Sequence, residues 1–383
     1  MQSAKIAIIG AGLSGLYAAT MLKQSGIDDY VIVEARPVLG GRILSTLASG
    51  QSGPELEDHA SGHVDLGPTW FWPAFQPELD RLVAGLGIAR FDQYETGDML
   101  SERSAGAAPM RLRGYASSPA SMRLAGGMGA LIHALRQRLE PSRILTGRTV
   151  RQLRIEGENV ALDCADEAGL ATTMEAEHVL LALPPRLAEA TIAFAPPLPE
   201  RLAQQWQETP TWMASHAKYV AVYNRPFWRE EGLSGAARSA VGPMGEIHDA
   251  SMPGGRAALF GFFGVPPIAR RTVSEDVLRL ACRAQFARLF GPQAEKPVAD
   301  FIKDWATDSL TATAMDLESG QNHHAVAPAA TASSGPWQGR LTGIASEWSR
   351  NFPGYVAGAV DAAVSGTEHL LRLNRSFPKS LGL

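Results

Sequence analysis

Cysteine is scarce in this chain: Cys164 and Cys282 are the only two in 383 residues. That excludes a disulfide framework or a thiolate metal centre and fits a reducing, cytoplasmic compartment. Also missing is any apolar run approaching the ~18 residues that a spanning helix needs. The best stretch, Ala257 to Ala269, is broken by Gly261, Gly264 and a double proline, so no membrane span is expected. There is no basic excess either, with 35 Lys plus Arg against 39 Asp plus Glu and a formal net charge of -4. The arginines are scattered rather than blocked together, which makes nucleic acid a poor partner. His323-His324 is a metal pair only superficially, since adjacent side chains diverge and no third ligand is near; a loop and no metal site are expected.

What remains is ordinary globular composition, 45% hydrophobic and 19% charged with 38 Gly and 25 Pro. At roughly 100–200 residues per domain the length suggests about two domains, enough to enclose a large ligand. The apolar stretch Ile6 to Leu22 carries spaced glycines and runs into another strand, so it reads as part of the fold rather than as a signal peptide.

Lys5 to Ile9 is a short apolar strand, followed at once by Gly10-Ala11-Gly12-Leu13-Ser14-Gly15 and a helical pattern through Leu16, Ala19, Met21 and Leu22. The glycines serve different ends. Gly10 makes the turn, Gly12 lets the backbone approach a pyrophosphate, and Gly15 lets helix and strand pack closely. The helix N-terminus, with Leu13 and Ser14 in its first turn, then faces phosphate with unpaired N–H groups and a positive dipole end. A second strand, Tyr30 to Val33, ends at Glu34, near the ~20-residue offset at which an acid accepts ribose hydroxyls and repels a 2′-phosphate. Glu34-Ala35-Arg36 leads to Gly40-Gly41-Arg42, where an arginine beside backbone N–H groups would make a second phosphate contact. An ordinary surface turn is the alternative for that triplet.

Taken in series, these motifs resemble the FAD-binding start of the flavin-containing amine oxidase family, which includes monoamine, polyamine and L-amino-acid oxidases. Later segments resemble the same family. Val64-Asp65-Leu66-Gly67-Pro68-Thr69-Trp70, after a loop from Ala48 to Ser61 of disorder-like composition, resembles the stretch that passes the flavin ring. Gly126-Gly127-Met128 and the amphipathic Leu131 to Leu139 resemble the helix returning to the FAD domain. Arg148-Thr149-Val150 resembles the segment whose valine meets the adenine, and His178 to Pro185 the strand and proline turn entering the substrate domain. In Ala217 to Tyr223 with Pro226-Phe227-Trp228-Arg229, the resemblance makes Lys218 the lysine that reaches a water beside flavin N5. Strand alternation puts Lys218 on the face of Val220 and Val222, where a snorkelling edge lysine is the alternative. Arg340 to Glu347 and Pro353 to Val360 match the family signature, with Ser346 and Glu347 near the ribityl–phosphate region. There Gly354, Tyr355 and Val356 open a helix whose N-terminus would hold negative charge at the flavin N1 edge.

The resemblance implies an α/β fold, a Rossmann-like FAD-binding domain with an interleaved α+β substrate domain. The expected division is 1–72, 122–190 and 335–383 for FAD, and 73–121 and 191–334 for substrate. It also implies oxidation of a small-molecule amine by hydride transfer to flavin, imine hydrolysis, and reoxidation by O2 with release of H2O2. Three departures stand out. The family's helical lid is reduced to a polar passage, Gln93 to Ser121. Counting on from Trp305 reaches Ala314 and Met315, so no thiol is placed for covalent attachment and FAD should be dissociable. Met315 also stands where an aromatic wall of the amine cage is usual, leaving Tyr355 as the other wall. Trp70, Trp72, Trp212, Trp305 and Trp348 are candidates to line the pocket, of which Trp305 and Trp348 are selected. Two other readings remain open, a dehydrogenase or desaturase of a non-amine and a weakly catalytic flavin-binding partner protein, as does self-association.

Overall fold

A computed structural model describes residues 2–49, 62–318 and 326–376. The chain divides into two compact units, residues 1–42, 131–213 and 309–383 forming the first and residues 43–130 and 214–308 the second.

The first unit is built on a sheet whose strands run, edge to edge, Ala193–Ala195, Thr149–Glu156, Asn159–Ala165, Ala171–Leu181, Gln2–Ile9, Tyr30–Val33 and Ile144–Leu145. Gln2–Ile9 pairs in parallel with both Ala171–Leu181 and Tyr30–Val33, so the amino-terminal strand lies in the middle of the sheet. Such strands are covered on both faces and read as continuous apolar runs, and all four residues of Tyr30–Val33 are buried. Ala171–Leu181 carries two partners along its other edge: Asn159–Ala165 antiparallel along its first half and Leu341–Gly343 parallel along its last three residues. The core joins Val31, Val33, Val179 and Leu181 with Trp206, Trp337 and Trp348.

The second unit holds a sheet in the order Ala299–Asp304, Ala217–Tyr223, Ala257–Phe263, Met244–Asp249, Leu233–Ser239, Asp98–Glu102 and Met110–Leu112. Side chains alternate across a strand, and Ala217–Tyr223 shows both faces in use. Tyr219, Ala221 and Tyr223 pack with Cys282, Phe286 and Phe290 of the helix Glu275–Phe290. Val220 and Val222 pack with Phe260, Val64 and Leu66 on the opposite face.

The unit boundaries differ from those expected. Residues 43–72 group with the second unit because Ala48, Val64 and Leu66 fill the core beneath Val220 and Val222. Residues 191–213 and 309–334 group with the first because Leu198, Leu202, Trp206 and Ala332 fill the core beneath its sheet. The passage 93–121 contains no helix and instead adds two strands at one edge of the second sheet. Most of the Ala48 to Ser61 loop, and His323-His324, lie outside the described residues. Among the described residues no helix is long and apolar enough to cross a membrane.

Candidate functional site

In the first unit the glycine turn has the geometry its residues require. Gly10 has φ +105, a region closed to most side chains, and its N–H donates to the Val33 carbonyl at 2.8 Å. A Cβ at Gly10 would lie 2.8 Å from the Ala182 oxygen, and one at Gly15 only 2.0 Å from the Gly10 oxygen. These two glycines therefore serve close packing of strand, turn and helix. Gly12 is different: a Cβ there would meet only the Gly40 oxygen, at 3.7 Å, so its missing side chain leaves main chain bare. It is the N-cap of the helix Leu13–Gln24, and no side chain caps that helix. A bare backbone beside uncapped N–H groups fits a pyrophosphate. Gly40 and Gly41, with φ +114 and +59, lay their turn against this loop through a bridge to Gly12 and a 2.9 Å bond from the Gly40 N–H to the Ala11 oxygen.

Glu34 is buried, its carboxylate accepting the N–H of Ala11 at 2.7 Å and of Arg36 at 2.8 Å. Each oxygen keeps a further lone pair for a hydroxyl. Arg148 N–H donates to the Glu34 carbonyl at 2.9 Å, which brings the segment of buried Val150 beside the acid. The residues expected at ribose and adenine, far apart in sequence, thus converge, and the donor set suits an ADP moiety.

Arg42 is placed otherwise than expected. Its guanidinium engages Glu347 in a two-point pair, Nη2 to Oε2 at 2.9 Å, and also donates to Ser346 Oγ at 3.1 Å and the Trp212 carbonyl at 3.4 Å. Most of its N–H groups are spent on protein, so it is a structural partner of Glu347 more than a phosphate ligand. Burial pushes the Glu347 carboxyl up, but the charge and hydrogen bonds of Arg42 win and hold it below the usual range. Burial likewise works against the Arg42 charge, and Glu347 overcomes it.

Beyond Glu347 the chain turns at Gly354, φ +83, and the helix Val356–Ser376 begins. Gly358 is required there, since a Cβ would sit 2.0 Å from the Phe352 oxygen. Tyr355 is 39% exposed, with its ring stacked on Trp212. Met315, 42% exposed, lies on the short helix Ala314–Glu318. Trp348 corrects its expected role. It is buried in the core, edge-on to Trp206 with centroids 5.4 Å apart and its ring covering Gly343, so it is packing rather than a pocket wall.

In the second unit Lys218 is 2% exposed, on the face of Val220 and Val222 as alternation requires. Its ammonium donates to Thr69 Oγ1 at 2.6 Å and to the Gly67 carbonyl at 3.1 Å, and lies 4.1 Å from the Phe260 ring centroid. Lys218 therefore grips the Gly67-Pro68-Thr69-Trp70 segment. Burial lowers it from 10.5 to about 7, with Asp65 opposing that shift and Arg123 adding to it. Asp65 is itself pushed up by burial despite Lys218, while its Oδ1 accepts Ser45 Oγ–H at 2.6 Å and Met128 N–H at 2.9 Å. Trp70 donates from Nε1 to Gln93 at 2.7 Å, its ring edge-on to His248. Trp305 is buried with the Lys303 ammonium 4.4 Å from its ring.

Three features went unselected in the sequence: Trp212, the buried Arg186–Asp316 pair at 2.6 Å, and buried Arg123, which donates to the carbonyls of Ser251 and Ala250 at 2.9 Å each. Only Trp212 carried a signal, as one tryptophan among several. Among the described residues no cluster of His, Cys, Asp or Glu could hold a metal ion.

Comparison with known proteins gives a consistent picture. The family described as flavin containing amine oxidoreductase matches residues 91–371, and the NAD(P)-binding Rossmann-like domain matches residues 8–86. A probable flavin-containing monoamine oxidase A of Dictyostelium discoideum is 27% identical over 191 residues, 49% of this chain and 40% of that protein. A putrescine oxidase of Kocuria rosea is 28% identical over 205 residues, 49% of this chain and 41% of that protein. The chain thus matches less than half the length of these curated relatives. Among solved structures, cyclohexylamine oxidase from Brevibacterium oxydans superposes with a TM-score of 0.77 at 18% identity, covering 97% of this chain and 99% of that one.

Proposed function

The chain belongs to the flavin-containing amine oxidoreductases, with FAD as cofactor, and from that premise we propose that it oxidises a small-molecule amine at the carbon bearing nitrogen, with dissociable FAD and O2 as final acceptor. Bound FAD supplies the two-electron acceptor. The observation that carries the reading is Lys218, a buried amine lowered to about 7 that holds the Gly67–Trp70 segment in place. A lysine with this setting is expected to serve proton traffic near neutral pH.

The chain's own residues divide the work. Main-chain N–H groups at Gly12, Leu13 and Ser14, supported by Gly10, Gly15, Gly40 and Gly41, receive the pyrophosphate. Glu34, with Ala35 and Arg36 following it, receives the ribose, and Val150 the adenine. Glu347, charge-balanced by Arg42 and bonded to Ser346, orders the approach to Gly354 and Tyr355. The opening turn at Val356 offers a positive dipole end to developing negative charge. Tyr355 provides an aromatic face against which an amine loses water, lowering its pKa and favouring the reactive free base. Trp305 and Met315 are proposed to contact substrate. Ala314 and Met315 offer no thiol, hence dissociable FAD, and two unlinked buried thiols suit a cytoplasmic protein.

The test is anaerobic. Flavin released by acid from purified protein should identify as FAD, and the visible absorbance of the holoprotein should bleach with at least one member of a panel of monoamines, diamines and amino acids. Air should restore the colour with release of H2O2. FAD that no amine bleaches would refute the proposal.

A further inference from the structure

Trp212 is held more firmly than a surface tryptophan needs to be. Its indole stacks on the Tyr355 ring, centroids 5.2 Å apart and planes 29° from parallel. Its main-chain N–H donates to Glu347 Oε1 at 3.2 Å. Gly354 packs so closely that a Cβ there would lie 2.3 Å from the Trp212 Cβ. The next residue, Met213, has φ 61, alone among the described non-glycine residues in the left-handed region. Such a conformation costs energy and persists only where the surroundings impose it.

The chain leading into Trp212 is fixed by the buried Arg186–Asp316 pair. Arg186 donates to the carbonyls of Gln207 at 2.7 Å and Glu208 at 3.1 Å, and to Asp316 Oδ1 at 2.6 Å. The same Oδ1 accepts the Thr211 N–H at 2.9 Å, so one ion pair fixes the chain from 207 to the residue before Trp212. The other oxygen of Asp316 accepts the N–H and hydroxyl of Thr313, both at 2.9 Å. The segment carrying Met315 is pinned by the same carboxylate.

We propose that Trp212 is a positioning residue for amine binding that acts through Tyr355, an inference that rests on the amine-oxidation reading. An aromatic ring attracts an amine only through its face, so the plane of the ring decides whether that face is presented. A half-exposed tyrosine on its own turns about two side-chain torsions. Stacked on an indole that is locked by Gly354, Glu347 and the Arg186–Asp316 pair, it keeps one plane and presents its free face. The orientation that a second aromatic wall would impose, and that Met315 does not supply, comes instead from behind the first wall.

The test uses four holoproteins, wild type, Trp212→Leu, Tyr355→Leu and the double variant, with Trp212→Phe as the conservative control. FAD occupancy is measured first and should be equal in all. On the amine that bleaches the wild type best, Trp212→Leu should raise KM about 3–10-fold with kcat changed less than about twofold, the size expected of one aromatic pair. Trp212→Phe should restore KM to within about twofold of wild type, and in the Tyr355→Leu background Trp212→Leu should add nothing. Equal losses in both backgrounds, a fall in kcat at constant KM, or no rescue by phenylalanine would overturn the proposal. Should no amine bleach the flavin, the amine reading falls and takes the substrate role of Trp212 with it. The melting temperatures of the same four proteins then judge the stack alone, and additive shifts would refute it.

Discussion

Lys218 makes stability depend on pH in a way that a single substitution removes. Its folded value of about 7 lies below the ordinary 10.5 because burial disfavours the charged form. Between those two values the unfolded chain binds a proton that the folded chain does not, so folding becomes more favourable as pH rises. Below pH 7 both states are protonated and the cost of burying the charge is carried in full. Integrating from pH 7 to pH 9 gives a gain of about 2 kcal/mol for the wild type. Lys218→Met has no such proton. It loses the bonds to Gly67 and Thr69, a penalty that is the same at every pH. The stability of wild type relative to Lys218→Met should therefore rise by about 2 kcal/mol from pH 7 to pH 9, several degrees in the difference of melting temperatures. Asp65 and Arg123 are the charged groups that act on Lys218, and Asp65 titrates in turn with it. A second pair of proteins in an Asp65→Asn background separates the two titrations. Thermal melts of the holoproteins at pH 7, 8 and 9 decide the matter. If the two curves run parallel across this window, Lys218 is not a depressed lysine and the argument from its burial is wrong.

Glu34→Ala should weaken FAD binding roughly 10–100-fold by fluorescence titration, the range for losing a charged hydrogen-bond acceptor; full occupancy after dialysis would deny the ribose role. Gly15→Ala should abolish the FAD-loaded protein, since its Cβ would lie 2.0 Å from the Gly10 oxygen, whereas Gly85→Ala meets nothing within 4 Å and should melt within ~1 kcal/mol of wild type. Equal yields of the two would contradict the packing seen. Arg186→Met leaves Asp316 buried without its countercharge and should cost about 3–5 kcal/mol in denaturant unfolding; a loss under about 1 kcal/mol would remove the basis for the Trp212 clamp.

Apolar patterning made one strand legible to the residue, and the family resemblance a second. Tyr30–Val33 is bounded by turns and apolar throughout, and Ala217–Tyr223 is apolar on both faces apart from one lysine. The glycine turn was legible because Gly10 answers a demand for a positive φ and Gly15 one for close approach to the Gly10 oxygen, both short-range. Trp348 was not, because its burial depends on Trp206, which comes from a separate helix. Nor was the Arg186–Asp316 pair, whose members stand 130 residues apart with no local pattern linking them. The division into two compact units was not legible for the same reason. Whether residues 43–72 join one core or the other is decided by which sheet Val64 and Leu66 land upon, and nothing in their own sequence states that.

The placement of Arg42 bears on how the proposed site would meet a doubly charged pyrophosphate. With its guanidinium spent on Glu347, the pair is close to neutral and offers little net charge to a phosphate. The attraction then falls to the main chain, to the uncapped first turn at Leu13 and Ser14 and to the bare backbone of Gly12. Main-chain N–H groups cannot be swapped one for another by mutation, and they are fixed before the ligand arrives. What Arg42 contributes is order. It ties Ser346, Glu347 and the Trp212 carbonyl into one cluster, and that cluster sets where Gly354 and Tyr355 stand. The arginine that the sequence offered as a cofactor ligand thus reaches the proposed amine site through Glu347, by the same N–H and carboxylate bonds that hold Trp212.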